Sequence, residues 1–292
     1  MSYQNIKENL NKFMIFVSSS CVKNSKIKDS VLELAQNGIK NIELSGGTDY
    51  YKSFEEDLLS LKDRFDLNYI CHNYFPPPKD PFVINLASLD NEVHEKTFSH
   101  LQGSIELSKN LGCEVFGFHA GFYLNIPIQE IGKEINKDDL LNKKVSFETF
   151  CKSYRELQSN TNIKLYIENN VISHQNFINF KENFFMLTNK EEYIELNEKI
   201  DFELLLDVAH LKVSCNTLDL NFEEELDFLI NKSNYLHISD NDSYADQNKP
   251  LHKDSNLYEL LSKYSFKEKK VTLEVYDTID NIKNTYDLIN NL

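Results

Sequence analysis

The sequence predicts an α/β fold, a single (β/α)8 barrel, on three observations. Apolar runs of strand length alternate with segments of helical period about eight times, the number that closes such a barrel. No linker rich in Gly, Ser or Pro interrupts them, so residues 1–292 read as one domain. Several strands end on a histidine or an acid, at the edge where α/β folds carry their chemistry. The run Leu204-Leu205-Leu206-Asp207-Val208-Ala209-His210 shows this best. Three leucines suit a strand buried on both faces, and an acid and an imidazole follow at its C-terminal end.

In chain order, the first strand is 13–17, running into Ser18-Ser19-Ser20, and a helix over 29–37 is stopped by Gly38. Residues 39–44 form the second strand and 54–65 the second helix. The third strand, 67–71, delivers His72. The prolines that follow, Pro76-Pro77-Pro78, exclude helix and sheet interior and require a shaped loop. A long helix over 90–111 ends at Gly112. The fourth strand, 114–118, delivers His119, and the fifth, 163–167, delivers Glu168. Long insertions follow each, 122–144 and 169–187, and suit a lid or a subunit contact. Helices are expected over 147–159 and 191–199. The sixth strand, 202–206, delivers Asp207 and His210; the seventh, opened by Tyr235, delivers His237; the eighth, 271–273, delivers Glu274. Helices over 222–231, 257–263 and 279–292 complete the pattern.

Composition narrows the function. Net charge is −15, and Arg64 and Arg155 are the only arginines, which disfavours a nucleic-acid partner. The five cysteines are dispersed without a CxxC pair, which favours reduced thiols and a cytoplasmic home. No apolar run is long enough to span a bilayer, and residues 1–12 are polar, without the apolar region of a signal peptide.

Collected at one barrel mouth, His72, His119, Glu168, Asp207, His210, His237 and Glu274 would repel one another or be costly to desolvate. A divalent cation resolves the conflict, and mixed His/Asp/Glu ligation suits zinc, manganese, cobalt or iron. Asp246, in the loop after the seventh strand, is a further candidate. The other histidines, His94, His100, His174 and His252, fall on helices or loops and read as structural. The phenylalanines Phe177, Phe180, Phe184 and Phe185 read as loop packing.

The chain resembles the xylose-isomerase-like TIM barrels, the superfamily that includes AP endonuclease family 2. The matching stretches run from Asn41-Ile42-Glu43-Leu44-Ser45, through His72-Asn73-Tyr74, Phe118-His119-Ala120-Gly121 and Ile167-Glu168-Asn169, to Leu206-Asp207-Val208-Ala209-His210, His237-Ile238-Ser239-Asp240 and Leu273-Glu274. In the sugar isomerase and epimerase branch, the resemblance implies one divalent metal, manganese, cobalt, zinc or magnesium, held by Glu168, Asp207, His237 and Glu274. His210 then contacts substrate, with His72 and His119 beside it. In the endonuclease branch, up to three zincs also use His72, His119, His210 and Asp246. That branch needs a histidine two residues beyond Asp246, where this chain has Asn248.

The first functional reading is therefore a metal-dependent sugar isomerase or epimerase. It transfers a proton alpha to a carbonyl through a metal-stabilised enediolate, with Glu168 and Glu274 as the proton-transfer pair. Its partner is a small sugar-like molecule, without nucleic acid or membrane, and barrels of this kind often pair as homodimers. The alternatives are a multi-zinc phosphodiesterase of the DNA-repair type, a metal-dependent dehydratase on a sugar-like substrate, and a barrel that only binds.

Overall fold

A computed structural model describes residues 13–130, 133–135 and 140–292. The polar N-terminal stretch 1–12 and part of the insertion expected over 122–144 lie outside the described residues. Eight parallel strands close into a barrel in sequence order: β1 (Met14–Ser18), β2 (Asn41–Leu44), β3 (Asn68–His72), β4 (Val115–His119), β5 (Lys164–Glu168), β6 (Glu203–Asp207), β7 (Ser233–Ile238) and β8 (Lys270–Leu273). β8 pairs back onto β1, with Leu273 opposite Val17, so no sheet edge is left open.

Helices fill the crossovers: α1 (Ile27–Gln36), α2 (Phe54–Phe65), α3 (Asn91–Asn110), α4 (Lys143–Ser159), α5 (His174–Phe180), α6 (Lys190–Asn197), α7 (Val208–Leu218), α8 (Phe222–Ile230), α9 (Asn256–Leu261) and α10 (Ile279–Asn290). From α3 onward their starts follow capping chemistry. Asp90 accepts from the Glu92 and Val93 amides, Asn221 from Glu223 and Glu224, and Asn142 from Val145.

Two helices go beyond the sequence expectation. α5 lies inside the insertion after β5. α7 begins directly after β6, with Asp207 as its N-cap. Its residues are apolar on most sides, because it packs between the barrel, α5 and α8, and the amphipathic stripe that marks a surface helix is missing.

The period of two sorts each strand into an outward and an inward set. Outward residues such as Ile42, Leu44, Phe116, Ile167, Leu204, Leu206 and Leu236 pack under the helices in the main core. Inward residues stack in layers. The lower layer is an apolar plug of Phe16, Ile70, Val115, Tyr166, Leu205 and Tyr235. One step further toward the C-terminal ends, the inward positions turn polar: Glu43, His72, Glu168, Asp207, His237 and Thr272, all buried. The fold therefore seals the bottom of the barrel with hydrocarbon and presents ionisable groups at the top.

Gly117, also inward on β4, makes room for this layer, since a Cβ there would lie 2.8 Å from His72 Cδ2 and 2.8 Å from Leu205 Cδ1. The loops above the mouth have their own small core, in which Phe180, Phe184, Phe185 and Phe122 pack with Leu124 and Ile172. The expectation that these phenylalanines pack within the loops is met. Asn85 ties two of the loops together. Its amide donates to the Phe122 and Leu124 carbonyls, and its oxygen accepts from the Ala87 and Phe122 amides.

Candidate metal centre at the barrel mouth

Each site residue is placed by a strand end and held by its neighbours. Glu168 ends β5 with no solvent exposure. Asn169 follows it and bonds both ways across to β6: its oxygen accepts from the Asp207 amide at 2.6 Å, and its amide donates to the Asp207 carbonyl at 3.0 Å. Asp207 then serves two masters. One oxygen accepts from the His210 amide at 2.7 Å, capping α7, while the other is buried without a hydrogen-bond partner. This accounts for the Asp-x-x-His spacing, because the third residue of a helix is where an N-cap side chain bonds. His210 is turned inward and its Nδ1 donates to the Asn169 carbonyl at 2.9 Å.

His237 is the hub. Its Nδ1 lies 3.2 Å from Glu168 Oε1, 3.6 Å from Glu274 Oε2 and 3.9 Å from Asp207 Oδ2. Three of these atoms, His237 Nδ1, Glu168 Oε1 and Asp207 Oδ2, are buried with no hydrogen-bond partner. Orphaned buried polar atoms cost roughly 1–3 kcal/mol each, so three of them gathered around His237 favour a bound partner. Two carboxylate oxygens, a third from Glu274, and one imidazole nitrogen make a donor set that fits a divalent cation. The tightest sets of three possible ligands are His72, Glu168 and His237; His119, Glu168 and His210; and Glu43, His237 and Glu274, so Asp207 lies at the margin of the four-residue set expected from the sequence.

A second group lies on the other oxygen of Glu168. His72 Nε2 is 2.7 Å and His119 Nδ1 3.1 Å from Glu168 Oε2. The two imidazoles meet edge to face, with centroids 5.4 Å apart. His210 Nε2 approaches Asp246 Oδ2 at 3.4 Å on the rim. All the expected site residues therefore converge, with Glu168 at the junction. His94, His100, His174 and His252 are not among them; His94, for example, bonds Ser153 Oγ on α4 at 2.8 Å.

The charges are strongly coupled. Burial pushes the Asp207 carboxyl up, to about 7. Burial also opposes ionisation of Glu168, but His119, His72 and His237 outweigh it and hold Glu168 well below the usual carboxylate range. His237 is driven the other way against its burial, by Glu43, Glu274 and Glu168.

Glu43 is the residue that sequence reasoning missed as a site member. It is fully buried, and His237 Nε2 lies 3.0 Å from its Oε2. The available signal was a charge in the middle of a strand, flanked by Ile42 and Leu44.

Above the cluster opens a cavity of about 620 Å³, lined by His72, His119, His210, Asp246, Glu274 and Tyr276 among others. That size accommodates a small organic ligand. A cavity of about 650 Å³ lies on the outer face against α4 and α6, but it holds none of the clustered groups. Chemistry rather than volume marks the mouth as the site.

Comparison with known proteins agrees with this architecture. The family model described as xylose isomerase-like TIM barrel matches residues 31–284. Among solved structures, a D-tagatose 3-epimerase-like protein superposes with a TM-score of 0.71 at 18% identity, covering 96% of each chain. The 3-keto-D-glucoside 4-epimerase of E. coli gives 0.62 at 12% identity, covering 95% of this chain and 98% of that one. Endonuclease IV from Thermus thermophilus gives 0.60 at 14% identity, covering 96% of this chain and 100% of that one. No curated protein matches the sequence.

Proposed function

The chain belongs to the xylose isomerase-like TIM barrel family, and from that premise we propose that it is a metal-dependent isomerase or epimerase of a sugar-like substrate. The reading rests above all on the ring of three carboxylates around His237 Nδ1, at 3.2, 3.6 and 3.9 Å. Glu168, Asp207, His237 and Glu274 hold the cation, which is manganese, cobalt, zinc or magnesium. When bound, it supplies Lewis acidity toward a carbonyl oxygen and the neighbouring hydroxyl.

The chain's own groups do the rest. Glu274, whose side chain still reaches the cavity, takes the proton from the carbon beside the carbonyl. Glu168, held ionised on the other side of the mouth, is the second base of the pair, and the carboxylate that has taken the proton returns it. His210 binds a substrate oxygen, helped by His72 and His119 along the wall. The acidic chain with two arginines suits an uncharged sugar better than a polyphosphate. Five unpaired, buried cysteines suit a reducing, cytoplasmic setting. Among the described residues, no helix is long and apolar enough to cross a membrane.

Glu168→Gln and Glu274→Gln test the mechanism: each abolishes ketose interconversion by the manganese-loaded protein while most of the metal stays bound. Unchanged turnover in both variants removes the proton-transfer roles.

One observation favours a second reading, a multi-zinc phosphodiesterase. Glu168 offers Oε1 to His237 and Oε2 to His72 and His119, so it can serve two cations at once. Against a third stands Asn248, whose amide lies 3.4 Å from Asp246 Oδ2. Elemental analysis separates the readings: about one metal per chain supports the isomerase, and about three zincs with cleavage of abasic-site DNA support the nuclease.

A further inference from the structure

We infer that Glu43 is a positioning residue: it fixes which nitrogen of His237 faces the carboxylate ring. The inference rests on the metal-centre reading above. Glu43 Oε2 accepts from three buried donors, His237 Nε2 at 3.0 Å, Thr272 Oγ1 at 2.9 Å and the Tyr235 hydroxyl. These partners come from β7 and β8, across the lumen from β2. Glu43, Thr272, Tyr235 and His237 are all fully buried.

An imidazole that ligates a cation is neutral and carries one hydrogen, on the nitrogen turned away from the ion. With Nε2–H directed at Glu43, the Nδ1 lone pair is left for the space shared with Glu168, Asp207 and Glu274. Without that acceptor, the hydrogen is free to move to Nδ1, where it blocks ligation. Tyr235 and Thr272 keep the carboxylate from swinging away. A role in packing alone does not account for the residue. A buried carboxylate costs several kcal/mol to desolvate, and an apolar side chain would join the Phe16 and Tyr235 plug directly below at no such cost. Partners of this kind, one layer behind the ligands, commonly change metal affinity about 10–100-fold.

The experiment is calorimetric titration of Mn2+ and of Zn2+ into metal-free wild type, Glu43→Gln and Glu43→Ala, with thermal unfolding of each metal-free protein alongside. Glu43→Ala is expected to bind about 10–100-fold more weakly, and Glu43→Gln, whose amide oxygen still accepts from Nε2, to lose less. Nitrogen NMR of the Zn2+-loaded, 15N-histidine wild type needs no variant to fold. It should show His237 ligating through Nδ1 with a slowly exchanging hydrogen on Nε2. Equal affinities in folded variants, or ligation through Nε2, overturn the inference alone. Wild type that takes up neither cation overturns the metal centre, and this inference with it.

Discussion

Gly117→Ala probes whether the polar layer is as tightly fitted as its distances say. The added methyl would lie 2.8 Å from both His72 Cδ2 and Leu205 Cδ1. Neither neighbour retreats easily. His72 is held by Glu168 at 2.7 Å, and Leu205 is locked in the plug beneath. Overpacking of this kind costs about 1–3 kcal/mol. The lower entropy of the unfolded alanine chain returns about 0.4–1 kcal/mol, because Gly117 has an ordinary strand conformation that alanine can adopt. The net loss is about 1–2 kcal/mol, which lowers the melting temperature by roughly 2–3 °C in a chain of this size. The displaced ring should also lengthen the His72–Glu168 contact, so the loss of turnover should exceed what the small stability change explains. Thermal unfolding and steady-state kinetics on the same preparation measure both effects. A variant with unchanged melting temperature and unchanged turnover would refute the claim that β4 was cut to glycine for His72.

Two further outcomes test other parts of the molecule. Asn85→Ala removes four hydrogen bonds, three of them between loops above the mouth, and is expected to cost about 2–4 kcal/mol, with faster hydrogen exchange confined to residues 120–130. Uniform protection in the variant would show the loops do not depend on it. Burial holds His100 below the ordinary imidazole value, so the unfolded chain takes up a proton that the folded chain resists. Its contribution is therefore present above about pH 6.5 and lost as pH falls below it, and His100→Gln should flatten that part of the urea-midpoint profile. An unaltered slope between about pH 7.5 and 5.5 would exclude this source.

The barrel and most of its mouth were legible because both follow from simple periods. Alternation along each strand sends every second residue inward, and the end of a parallel strand is the first place a polar inward residue can reach a cavity. His72, His119, Glu168, Asp207 and His237 are such residues, and the structure gathers them. Glu43 obeys the same alternation, but an acid between Ile42 and Leu44 signals only that a charge is buried, not what it serves. Its meaning comes from Tyr235, Thr272 and His237, about 190 or more residues away. α7 was hidden for another reason: packed between the barrel and two helices, it has no polar face to set a period, and its first residue continues an apolar strand.

That helix links the cluster of acids and imidazoles to the roof of the cavity. Asp207 starts α7, and one turn later Lys212 grips Asp240 Oδ1 at 2.6 Å and the Asn241 carbonyl at 2.7 Å. The segment so anchored goes on to carry Asp246 and Asn248 over the opening. A single lever arm thus spans floor and ceiling. A change at Lys212, which touches none of the clustered acids and imidazoles, should alter which molecules the opening admits while leaving the geometry of that cluster intact.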